Sequence, residues 1–108
     1  MSPIDDSQGY ELTYSEAFLA WRNSLRDLAA LARIGARLQR LEEGHWGDAK
    51  SVADDIVELR LHFGPGYRLY VTQRGRKLVI LLTGGDKSSQ SRDIAKAKRL
   101  SQEFDDAS

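Results

Sequence analysis

Three apolar runs between residues 56 and 82 constrain this chain more than any other feature. In "IVELRLHF", residues 56–63, Val57, Leu59, Leu61 and Phe63 alternate with Glu58, Arg60 and His62. That period of two predicts a strand with one buried face. "GPG", residues 64–66, is a turn, and "YRLYVT" alternates again. Around Gly75 the chain turns once more into "LVILL", residues 78–82, whose unbroken apolar run predicts a strand covered on both faces.

Helical spacing flanks these strands. "YELTY", residues 10–14, alternates and is read as a short first strand. Ser15 suits an N-cap with Glu16 in the first turn, and Phe18, Trp21, Leu25 and Leu28 follow as a helical stripe. Asp27 marks a break or a new cap before a second stripe, Leu31, Ile34, Leu38 and Leu41, which Gly44 ends. "GHWGDAKSVADD" reads as a loop, in which His45 and Trp46 have no chemical role. From about Ser91 a last helix carries Ile94, Ala97, Leu100 and Phe104 on one side. The expected order is β-α-α-β-β-β-α, an α+β fold with a small antiparallel-rich sheet, an N-terminal helical hairpin and a C-terminal helix.

The 108 residues suit one domain, spanning 1–108, with flexible ends expected at 1–9 and 105–108. Without cysteine, disulfides and thiol catalysis are excluded, and two histidines make a zinc site a poor expectation. "MSPIDDSQGYEL" has neither the basic start nor the apolar core of a secretory leader, and "LVILL" is too short to span a bilayer. A cytoplasmic protein without membrane contact is expected. Net charge is zero, but residues 33–100 hold fourteen Lys or Arg against eight acids, so a cationic face can still form.

If the apolar sets of the hairpin strands meet in a core, Arg60, His62, Arg68 and Tyr70 stand together on the opposite face. Two guanidiniums, a phenol and an imidazole suit an RNA phosphodiester. Metal-free cleavage needs a base, an acid and cations for the pentacoordinate phosphate. Arg60 and Arg68 would supply planar donors, His62, Tyr70 or Glu58 could move protons, and Tyr67 or Tyr70 could stack on a base. The bland alternative is a solvated sheet face, on which these are ordinary surface charges and rim aromatics.

"LLTGGDKSSQSRDIAKAK", residues 81–98, raises a separate question. Gly84 and Gly85 can adopt positive φ and admit a close neighbour, and a helix N-terminus follows. Yet Asp86 stands between Gly85 and Lys87, and Walker spacing is missing, which argues against a nucleotide-hydrolysing loop. Either the stretch touches a phosphate or it only turns a strand into a helix, and the residue types lean to the turn.

Together, "FLAW" with "LRD", "RIGARLQRLEEGHWGD", "ELRLHFGPGYRLYV" and "LLTGGDKSSQSRDIAKAK" resemble the RelE/ParE superfamily of type II toxins, in its HigB-like branch of addiction module killer proteins. The resemblance runs from about Phe18 to Leu100. It implies ribosome-dependent, metal-independent messenger RNA cleavage, no cofactor, and a cognate antitoxin, expected to be a HigA-like helix-turn-helix protein. Operator DNA would be met only through that antitoxin. Arg68, Lys87, Tyr70 and His62 are the candidate catalytic residues, and Arg60, Tyr67, Gly85 and Arg92 the candidate RNA contacts. The chain departs from RelE where that protein has a C-terminal tyrosine, since Asp93 and Ile94 lie there, and Glu58 replaces a second lysine. A ParE-like, non-enzymatic gyrase inhibitor and an inactive antitoxin-binding module are the alternatives.

Overall fold

A computed structural model describes residues 9–107. The strands are β1 (Glu11–Tyr14), β2 (Ala49–Ala53), β3 (Ile56–Arg60), β4 (Arg68–Arg74) and β5 (Leu78–Gly85), and the helices α1 (Glu16–Ser24), α2 (Leu28–Glu42) and α3 (Gln90–Ala107). They form an α+β fold around one sheet of order β1-β5-β4-β3-β2. Only β1 with β5 is parallel; the other pairs are antiparallel.

Local chemistry sets most boundaries. Ser15 caps α1 by accepting from Phe18 N at 2.9 Å, and its hydroxyl donates to Leu82 O at 2.6 Å. Asp27 caps α2 by accepting from Ala29 N and Ala30 N. Gly44, at φ 96°, follows the end of α2 in the left-handed region. Ala30, Ile34, Leu38 and Leu41 are the buried stripe of α2. Burying each large aliphatic contributes roughly 1.5–3 kcal/mol. That outweighs the cost of about 1 kcal/mol for Gly35 inside the helix.

The chain order contains one strand more than expected. β2 lies inside the segment read as a loop, and its burial alternates poorly because it is an edge strand paired only with β3. The first helical stripe is also shorter than its spacing suggests. Leu25 is the C-cap of α1, and Leu28 begins α2 with 79% of its surface exposed. Of the expected flexible ends, residues 1–8 and 108 lie outside the described residues, whereas 105–107 continue α3.

Two cores sandwich the sheet. Phe18, Ile34, Leu41, Leu59, Leu69, Val79 and Leu81 fill the α1/α2 side. Ile56, Tyr70, Ile80, Leu82 and Ala97 fill the α3 side, with Ile94, Leu100 and Phe104 against them. β5 is thus covered on both faces, as its run of apolar residues predicts. The register of β4 on β5 shifts between Tyr70/Thr83 and Val71/Leu81, leaving Leu82 as the extra residue. The alternation of β5 flips there, so Gly84 faces α1 and Gly85 faces α3.

Those two glycines do not have positive φ. A Cβ on Gly84 would lie 2.4 Å from the Trp21 ring, and one on Gly85 would lie 1.8 Å from Asp93 Oδ2. Their small size admits this protein's own side chains, Trp21 from one side of the sheet and Asp93 from the other. A loop left open for an anion would not have a carboxylate against its backbone.

Candidate active site

The face expected to carry a solvated polar set is covered by α3, and its polar groups converge on one buried carboxylate. Glu58, on β3, has no exposed surface. Its Oε1 accepts from Arg60 Nε at 2.9 Å, and its Oε2 accepts from Tyr70 Oη at 3.1 Å and Gln90 Nε2 at 2.7 Å. Arg68 Nε stands 3.9 Å from Glu58 Oε1, beyond a hydrogen bond. Burial pushes the Glu58 carboxyl up, but the bonds from Arg60, Gln90 and Tyr70 and the charge of Arg68 outweigh it and hold the group below its ordinary range. Glu58 is therefore an anion that orders two guanidiniums.

Register explains the convergence. Arg60 pairs with Arg68, and Glu58 with Tyr70, across the β3–β4 ladder. Gln90, the first residue of α3, reaches the same carboxylate from above. Above this floor lies a cleft of about 710 Å³, lined by Arg60, His62, Arg68, Lys87 and Gln90 and by the turn Phe63–Gly66. Gly64 (φ 56°) and Gly66 (φ 80°) shape that turn. A Cβ on Gly66 would lie 3.3 Å from Lys87 Cβ, and Lys87 N donates to Pro65 O at 3.4 Å. The Phe63–Gly66 turn and the 3-10 turn Lys87–Ser89 ahead of α3 thus lean on each other and bring Lys87 to the cleft.

Arg68 is the unusual group. Its side chain is only 10% exposed, and its Nε is the one buried side-chain nitrogen or oxygen without a hydrogen-bond partner among the described residues. An unsatisfied buried donor costs about 1–3 kcal/mol. With Glu58 neutralising one of the two arginines, Arg60, Arg68 and Lys87 leave the cleft cationic. It can hold an anion with planar donors at its base and a mobile ammonium at its rim.

The eight expected site residues divide. Arg60, Arg68, His62 and Lys87 meet in this cleft. Tyr70 lies beneath it, fully buried and donating to Glu58; burial first, then the Glu58 charge and hydrogen bond, push its phenol well above the ordinary value. It does not reach the surface of the cleft. Tyr67 is in the α1/α2 core, with its ring 6.2 Å from Trp21 and 5.4 Å from Phe63, so it does not present a face for base stacking. Gly85 is buried under Asp93. Arg92 lines a different groove, between α1 and α3.

The turn into α3 is not an open anion site either. Asp86 Oδ1 accepts from Ser88 N at 2.8 Å and Ser88 Oγ at 2.5 Å, while Ser89 Oγ accepts from Asp86 N at 3.3 Å. The first amide donors of the helical turn are taken within the protein, Lys87 N by Pro65 O and Ser88 N by the Asp86 carboxylate. Sequence reasoning missed the role of Glu58 as the anchor, because alternation assigned it to solvent. It missed Gln90 and Asp48 as well, which only the fold brings to this region. No group of three or more His, Cys, Asp or Glu able to hold a metal occurs among the described residues.

This is the fold of RelE. The free-state structure of an E. coli RelE toxin variant with two arginines replaced by alanine superimposes with a TM-score of 0.68, covering 84% of this chain and 96% of that one at 18% identity. An uncharacterised protein of Haemophilus influenzae (strain Rd) is 52% identical over 87 residues, 81% of this chain and 88% of the relative, and the chain belongs to the same family. No protein-family model matches the sequence. Among the described residues, no helix is long and apolar enough to cross a membrane.

Proposed function

We propose that this chain is the toxin of a type II toxin–antitoxin pair, in the HigB-like branch of the RelE/ParE superfamily, and cleaves messenger RNA on the ribosome without a metal. A HigA-like helix-turn-helix antitoxin would neutralise it in the cytoplasm. The observation that carries this reading is the cleft in which Arg60, Arg68 and Lys87 meet over the buried Glu58 carboxylate. The RelE-like fold and the sequence blocks around that cleft support the same reading.

Attack of an RNA 2′-oxygen on the adjacent phosphorus builds negative charge on the equatorial oxygens. Arg68 donates to one of them through the exposed edge of its guanidinium, Lys87 neutralises charge from the rim, and Arg60 holds the strand. Glu58 stays an anion and keeps both guanidiniums in place. His62 is the proton-transfer candidate that lines the cleft, since Tyr70 is sealed beneath it.

Loss of one such transition-state donor lowers a rate by about 10²–10³-fold. Arg68→Ala should therefore relieve growth arrest and abolish cleavage in a complete translation system while the fold persists. A folded Arg68→Ala protein with full toxicity would sink the assignment. Pulse labelling after induction separates the ParE-like alternative: a ribonuclease halts protein synthesis first, a gyrase poison produces DNA damage first.

A further inference from the structure

At the rim of the cleft, His62 has a partner to which this mechanism gives no role. His62 Nε2 is hydrogen-bonded to Asp48 Oδ2. The loop bearing Asp48 is fixed on two sides. Asp48 O accepts from Arg60 N at 3.0 Å and from Arg37 Nη2 at 2.8 Å. Arg37 also donates to Trp46 O, from Nε at 3.3 Å and Nη2 at 3.0 Å, and to Arg60 O at 2.6 Å. Gly47, at φ 68°, lies so near this guanidinium that a Cβ would come within 3.0 Å of it. Helix α2 thus staples the loop to the end of β3, next to the strand exit that carries His62.

An ionised carboxylate only accepts hydrogen bonds. Its partner nitrogen on a neutral imidazole must therefore carry the proton, and the lone pair is left on the other nitrogen. We propose that Asp48 is a positioning residue that fixes His62 as the Nε2–H tautomer, making His62 Nδ1 the base of the cleft. The inference rests on the ribonuclease reading. In the step, the 2′-hydroxyl proton passes to Nδ1, the 2′-oxygen–phosphorus bond forms and the phosphorus–5′-oxygen bond breaks. The 5′-oxygen takes a proton from solvent, leaving a 2′,3′-cyclic phosphate and a 5′-hydroxyl. Asp48 balances the imidazolium. The other charged groups around His62 are Arg33, Arg37 and Arg40 of α2, Arg60 of β3, and Arg68 and Lys87 across the cleft. The Asp48 carboxyl is held below its ordinary range, chiefly by the His62 hydrogen bond, with Arg60 and Arg37 adding to it.

The test measures steady-state cleavage on ribosomes across pH for wild type, Asp48→Asn, Asp48→Glu and His62→Gln, with ¹⁵N NMR of the imidazole. Asp48 is half exposed, so the variants should fold, which circular dichroism checks. Loss of general-base positioning is expected to lower kcat of Asp48→Asn about 10²-fold or more with KM nearly unchanged. His62→Gln should fall as far, and the double variant no further. Asp48→Glu should recover part of the rate. The wild-type imidazole should be Nε2–H, and Asp48→Asn a mixture of tautomers. An Asp48→Asn enzyme with wild-type kcat and pH profile overturns the proposal. If the wild type itself does not cleave, the ribonuclease reading falls and takes the base assignment with it, a result distinct from an active enzyme indifferent to Asp48.

Discussion

Two arginines at opposite ends of β4 sit against carboxylates on the α3 side of the sheet, and they are treated differently. Arg74 is saturated. Its Nη1 donates to Asp55 Oδ2 at 2.8 Å and Thr72 Oγ1 at 3.0 Å, and its Nη2 to Ser101 O at 3.0 Å and Ser101 Oγ at 2.9 Å. Nη2 is also 3.0 Å from Asp105 Oδ1. Arg68, more deeply buried, leaves Nε without any partner and sits 3.9 Å from its carboxylate. The first arginine ties the β2–β3 turn, β4 and α3 together; the second lines the cleft with its Nε buried and unbonded. The same residue type, on the same strand face, is a clamp at one end and a cleft residue at the other.

The strongest attack on this contrast is Glu58→Ala. It would strand Tyr70 and Gln90 and leave Arg60 and Arg68 facing each other without an anion between them. Removing one partner of a buried charge pair costs about 3–5 kcal/mol. Denaturant unfolding should show that loss, with the folded remainder inactive. A change below about 1 kcal/mol, within the range of an exposed ion pair, would mean that Glu58 does not anchor the cleft.

Arg74→Ala should have the next largest effect, and of the opposite kind to Arg68→Ala. Several charge-assisted bonds are lost at a partly exposed site, so stability should fall by about 1–3 kcal/mol while the folded protein keeps its activity. Thermal melts alongside a toxicity assay decide this. If Arg74→Ala abolishes activity in a protein that melts like wild type, the division between clamp and cleft residue is wrong.

What could be read from the sequence follows from how local each signal is. The alternation that starts at residue 57 and the Ser15 and Asp27 caps depend on neighbours in the chain; the caps form, and the strand forms as far as Arg60, short of the Phe63 that the pattern suggests. The all-apolar run 78–82 announces a strand with two covers, and the same two covers extend over β3 and β4, whose alternation hides them. A helix that covers β5 also covers the polar face of the adjacent strands, so Glu58 and Tyr70 are interior groups. Period-two spacing separates two faces but does not say which face meets water. The edge strand β2 lacks a strong pattern because little of it is buried. In the site, Arg60 and Arg68 were legible because hairpin register follows from the short turn. Gly84 and Gly85 looked like an anion loop because glycine signals a close approach without naming what approaches. Asp48 had no signal at all, since 14 residues and a loop separate it from His62.

The subtlest test is acid sensitivity. The carboxyls of Glu58 and Asp55 are both held below their ordinary values of 4.5 and 3.8, since their hydrogen bonds outweigh burial. A folded-state value below the unfolded one means the unfolded chain takes up protons first. Each contribution is therefore complete above the ordinary value and is lost as pH falls through the depressed one. Glu58 is fully buried, whereas the Asp55 side chain is 50% exposed and screened by water. Glu58→Gln should thus flatten the fall in stability below pH 4.5 more than Asp55→Asn does, on top of its lower stability at neutral pH. Urea midpoints measured at a series of pH values report this directly. A larger change of slope for Asp55→Asn would place the stronger electrostatic anchor at the Arg74 end, and would reverse the contrast between the two arginines.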